Sequence, residues 1–124
     1  MILSIQLYKI NMTLKKENGV VRIRLNQDPP ENFCRPAVDP MFRSVASIYG
    51  AKTLSVVMTG MGHDGLAGGR IIAEAGGTVL AQDEETSVVW GMPGSVAVAG
   101  ICSSVLPLDE LGPAVGQLIM GGKL

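Results

Sequence analysis

The most constraining stretch of the chain is residues 54–68. A short apolar run, Leu54-Ser-Val-Val-Met58, passes into Thr59-Gly60-Met61-Gly62-His63-Asp64-Gly65 and then Leu66-Ala67-Gly68. An apolar run this short, ending in glycines, suits a strand covered on both faces in a parallel sheet. Thr78–Gln82 and Ile101–Leu106 read as two further strands. Helices are expected over Leu66–Ala75, Ser87–Val98 and Leu108–Met120. The second is interrupted by Gly91, Pro93 and Gly94, the third by Gly112, Pro113 and Gly116. Strand and helix in alternation predict an α/β fold: a doubly wound, mostly parallel sheet with helices on both faces.

The chain upstream reads differently. Residues 1–8 alternate apolar and polar as a strand would. Met12–Lys15 and Val20–Leu25 form a β-hairpin around Glu17-Asn18-Gly19, because Asn-Gly favours a tight two-residue turn. Val21, Ile23 and Leu25 share one face of the second strand, with Arg22 and Arg24 on the other. Asp28–Asn32 is loop. Val38–Tyr49 carries an apolar stripe at Met41, Phe42, Val45, Ala46 and Tyr49, so it is expected to be helical. Asp39 is its expected N-cap, Pro40 its first residue and Gly50 its stop.

At 124 residues the chain suits one domain. Its net charge of −1 leaves no basic excess to drive nucleic-acid binding. The charge is uneven: up to Lys52 there are 8 basic and 4 acidic residues, and from Thr53 onward 2 basic and 7 acidic. Cys34 and Cys102 have no metal-site or disulfide spacing, and are expected to be reduced thiols in a cytoplasmic protein. No run approaches the ~20 apolar residues of a membrane span, and no signal peptide is evident. Among 16 glycines, ten fall between Gly60 and Gly100, which suggests close backbone approach around a site.

The glycine loop admits several readings. Gly60, Gly62 and Gly65 spell G-x-G-x-x-G, and Asp83 follows at a distance suited to a ribose-binding acid. Met61 and His63 crowd such a turn, and the chain has too few elements for a complete dinucleotide fold. Asp64 is placed either to cap the helix it precedes or to orient a histidine, as the acid of a Ser-His-Asp triad does. His63 is the only histidine. Its side chain diverges from that of its neighbour Asp64, and no carboxylate cluster makes a metal site with it.

Longer strings carry a resemblance. Val57-Met-Thr-Gly-Met-Gly-His-Asp-Gly-Leu-Ala-Gly68, Ala75-Gly-Gly-Thr-Val-Leu-Ala-Gln-Asp-Glu84 and Ser87-Val-Val-Trp-Gly-Met-Pro93 resemble the catalytic domain of chemotaxis protein-glutamate methylesterases. Cys34-Arg-Pro-Ala-Val-Asp39 and Met41-Phe-Arg-Ser-Val45 extend the likeness, which runs from about Asn11 to Leu118. It displaces the dinucleotide reading. It implies a doubly wound α/β domain without a cofactor, hydrolysing glutamate methyl esters on chemoreceptors and deamidating receptor glutamines. It places the triad acid at Asp64. Met61 would line the site with Gly60 and Gly62, and Gly91, Met92 and Pro93 would border the same cleft.

The departures from the family pattern are as informative. The family's Gly-x-Ser-Thr-Gly-Gly nucleophile turn and Gln-His-Met-Pro-like base segment are absent from these 124 residues. His63 falls at a variable position of the motif. The chain therefore resembles about the last two-thirds of the domain, and alone is expected to be inactive. The resemblance implies a methylated chemoreceptor as partner and a receiver domain in a longer form of the protein. An incomplete sheet would favour self-association. A non-catalytic partner-binding module is the alternative.

Overall fold

A computed structural model describes residues 9–124 of the chain, so the alternating stretch 1–8 lies outside the described residues. Strands β1 (Asn11–Glu17) and β2 (Val20–Asn26) pair antiparallel, with Leu14 opposite Ile23. Asn18 and Gly19 both take positive φ, 51° and 77°, as the tight turn requires. Met12 and Leu14 are buried, and the Leu14 N–H donates to Ser44 Oγ on the next helix at 2.9 Å. Ile23 and Leu25 on β2 stay largely exposed.

Helix α1 spans Val38–Tyr49, as its stripe predicts, and ends at Gly50 with φ 52°. Its start departs from expectation. Ala37 is the N-cap, Asp39 lies inside the first turn, and Pro40 is the third helical residue. The reason is that the Val38 and Asp39 N–H groups have a distant acceptor, the Asp64 carboxylate. Pro40 still fits, because the first-turn N–H groups have no partner within the helix.

Strands β3 (Leu54–Val57), β4 (Thr78–Gln82) and β5 (Ser104–Leu106) form a parallel sheet in that order. Between them run α2 (Leu66–Glu74) and α3 (Gly91–Val98), and α4 (Leu108–Ile119) follows. On one face Val57, Val79 and Ala81 pack with Phe42, Ala46, Ile72 and Val96, from α1, α2 and α3. On the other, Leu80 packs with Leu111 and Ala114 of α4. The sheet is therefore covered on both sides, and each fully buried Ile, Leu or Val in it stabilises the fold by roughly 1.5–3 kcal/mol. Among the described residues no helix is long and apolar enough to cross a membrane.

Two expected elements begin three or four residues later than their sequence pattern. Ser87–Trp90 is not helical, because the backbone of Val89 bonds to Thr59 and Gly60 instead of within a helical turn. Ile101 turns into the core beside Val96 before β5 begins. An open groove of about 390 Å³ runs between α1 and the outer side of β3, lined by Leu14, Met41, Val45, Tyr49, Leu54 and Val56 among others. No residue of the glycine loop lines it.

Candidate active site

The loops leaving the carboxyl ends of β3 and β4 meet over the sheet, where open α/β folds bind ligands. Thr59 Oγ1 donates to Val89 O at 3.0 Å and accepts from Val89 N at 2.9 Å. Gly60 N–H donates to Val89 O, and Met92 N–H to Gly60 O at 2.8 Å. Behind this seam lies Gln82, 1% exposed, whose Oε1 accepts from Thr59 N at 2.9 Å and whose Nε2 donates to Thr86 O at 2.8 Å. Trp90 Nε1 donates to the Gln82 carbonyl at 3.0 Å. A Cβ on Gly91 would stand 2.8 Å from Gly62 N and 2.9 Å from Gly60 O, so only glycine allows the two loops this close.

Asp64 lies at the end of the β3 loop and is 3% exposed. Its Oδ2 accepts from Val38 N at 2.6 Å, and its Oδ1 from Asp39 N at 3.1 Å and Asn32 Nδ2 at 3.0 Å. It thus caps α1, and not the helix it precedes as expected from sequence. The cap of α2 is Gly65, in the left-handed region at φ 99°. The carboxylate that serves α2 is Asp39: its Oδ1 accepts from Gly65 N at 3.1 Å and Gly68 N at 2.8 Å, and its Oδ2 from Asn32 Nδ2 at 2.7 Å. Gly68 permits this, since a Cβ there would lie 2.5 Å from that of Phe42. Buried carboxylates need such donors to offset lost hydration.

The other residues singled out from sequence take distinct places. Met61 projects outward, 82% exposed, and Gly60 lies against the Met92 side chain. Gly62 takes positive φ. Gly91, Met92 and Pro93 open α3, with Pro93 buried. His63 is exposed, and among the described residues no hydrogen bond joins its imidazole to a carboxylate or hydroxyl. Asp83 Oδ1 is bonded to the N–H and Oγ1 of Thr86 and holds its own turn. Burial, with the Asp64 charge nearby, pushes the Cys34 thiol above its ordinary range. Among the described residues no group of three His, Cys, Asp or Glu side chains is placed to hold a metal ion.

Sequence reasoning missed Asn32, Gln82 and the role of Asp39. For Gln82 a signal existed, an amide closing an otherwise apolar strand. Asn32 sits in an irregular loop and gives none.

The family model for CheB methylesterase matches residues 4–115. The chain belongs to the CheB methylesterase family. A protein-glutamate methylesterase/protein-glutamine glutaminase of Rhodospirillum rubrum is 70% identical over 89 residues, covering 72% of this chain and 23% of that protein. A relative of the same description from Nocardioides is 61% identical over 95 residues, covering 77% and 26%. The crystal structure of the Thermotoga maritima CheB methylesterase catalytic domain superposes with a TM-score of 0.78 at 44% identity, over 80% of this chain and 52% of that one. This CheB-family chain thus spans about a quarter of those curated relatives and about half of the solved catalytic domain.

Proposed function

We propose that this chain supplies the acid side of a protein-glutamate methylesterase site, with Asp64 as the triad acid. The observation that carries the reading is the burial of Asp64 at the carboxyl end of β3, held by three donors. A carboxylate fixed in that way orients an imidazole and stabilises the imidazolium formed when a serine is deprotonated. The serine would attack the glutamyl ester carbonyl and expel methanol, and water would then release the acid. Deamidation of a receptor glutamine would run through the same steps with ammonia leaving.

The substrate is proposed to be the cytoplasmic part of a methylated chemoreceptor, and a cytoplasmic location is proposed for the chain with it. A receiver domain is proposed for a longer form of the protein. As a 124-residue polypeptide it contains neither the family's serine turn nor its histidine segment, so it is expected not to hydrolyse esters by itself. The assay is methanol release from methylated receptor by the pure chain. Release above the uncatalysed rate, abolished by Asp64→Asn, would refute the inactivity.

A second reading has its own support. Phe33, Met61 and Val88 are almost fully exposed on the loops nearest Asp64 and Thr59, which suits a partner-binding module that acts without chemistry. Receptor binding with no dependence on methylation would favour it. The polypeptide alone is also proposed to self-associate along β3, an edge of the parallel sheet among the described residues. A monomer by light scattering at all concentrations would contradict that.

A further inference from the structure

Among the described residues Asn32 is the side chain hydrogen-bonded to both buried carboxylates. Its Nδ2 donates to Asp39 Oδ2 at 2.7 Å and to Asp64 Oδ1 at 3.0 Å. An amide nitrogen has two N–H groups, and both are committed here. The opposite amide orientation would set its oxygen against two carboxylate oxygens, so the network fixes which way Asn32 faces.

The consequence is an asymmetry within Asp64. A carboxylate oxygen accepts about two hydrogen bonds. Oδ1 has two, from Asp39 N–H and Asn32, whereas Oδ2 has one, from Val38 N–H. We propose that Asn32 is a positioning residue that fills Oδ1 and so leaves Oδ2 as the oxygen that receives the imidazole N–H of the site histidine. The inference rests on the reading of Asp64 as the triad acid. Without the amide each oxygen keeps one backbone donor, and nothing distinguishes them. Asn32 also bridges Asp39 and Asp64, so its loss leaves two buried carboxylates without a shared side-chain donor.

The test uses ¹H–¹⁵N spectra of the 124-residue chain titrated with free imidazole, which stands in for the histidine side chain. The Val38 N–H reports on Oδ2 and the Asp39 N–H on Oδ1. In the wild type, imidazole is expected to shift the Val38 signal several-fold more than the Asp39 signal. In Asn32→Ala the two are expected to shift alike. Equal shifts in the wild type, or a preference that survives Asn32→Ala, overturn the role of Asn32 and leave the triad reading standing. No imidazole response at either amide also overturns the inference, because Oδ2 is then not open to an imidazole N–H. The wild-type comparison needs no variant, so the inference stays exposed even if Asn32→Ala does not fold.

Discussion

Asp39 and Asp64 each cap the helix that the other begins. Asp39 lies in the first turn of α1 and accepts from Gly65 and Gly68 at the start of α2. Asp64 lies just before α2 and accepts from Val38 and Asp39 at the start of α1. Two helix N-termini thus point their partial positive charge at one pair of carboxylates. The exchange joins residues about 26 positions apart, and with Gly68 it fixes how α1 crosses α2.

Asp39→Ala is expected to cost about 2–3 kcal/mol, because the Gly65 and Gly68 N–H groups lose their buried acceptor. Asp39→Asn keeps one acceptor oxygen but turns a donor toward Asn32 or toward α2, so it should fall between. Urea unfolding of the three proteins measures the order, and an Asp39→Ala midpoint equal to wild type would contradict the exchange of caps.

Gly91→Ala is expected to cost about 1–3 kcal/mol, since backbone atoms of the facing loop cannot retreat as a flexible side chain would. Amide exchange should quicken at Gly60 and Met92, whose N–H groups cross the seam. Gly112→Ala is the contrast. Nothing lies within 4 Å of the added carbon, and the position is an exposed turn of α4. It should stabilise by up to about 1 kcal/mol. Thermal melts of both variants give the comparison.

The surface pair of Glu31 and Arg43 predicts a small acid dependence. Arg43 Nη1 and Nη2 donate to both oxygens of Glu31, at 2.8 Å and 2.6 Å. The bonded guanidinium holds the Glu31 carboxyl below its ordinary value of 4.5. A carboxyl whose folded value is depressed adds stability above its unfolded value and loses it as pH falls through the folded one. The pair is part-exposed, so about 0–1 kcal/mol is at stake. The stability gap between wild type and Arg43→Met should be present at neutral pH and close below 4.5. A gap unchanged in acid would show that Arg43 acts through packing alone.

Most of the scaffold was legible because it follows from local pattern. Asn18-Gly19 sets the hairpin, Gly50 stops α1, and the run Thr78–Gln82 is a strand with the bounds its composition suggests. The misjudged places are those where a partner distant in sequence wins. Asp39 has every local qualification as an N-cap, yet its oxygens are taken by another helix. Ser87–Trp90 is expected to begin a helix, yet Val89 bonds across to Thr59. Asp64 was marked by its loop, yet the helix it caps is α1, which lies far from it in sequence. Asn32 became visible only when three segments closed around it, since no periodicity governs an irregular loop.

The seam between the β3 and β4 loops bears on how a ligand would be met. Four hydrogen bonds between Thr59, Gly60, Val89 and Met92 lock the loops to each other, and Gln82 anchors them from behind. Neither loop is left to move by itself. The ordering entropy that a mobile lid would surrender on binding has already been lost in folding. A surface docking on this wall would have to match its shape, with little rearrangement of the chain that receives it.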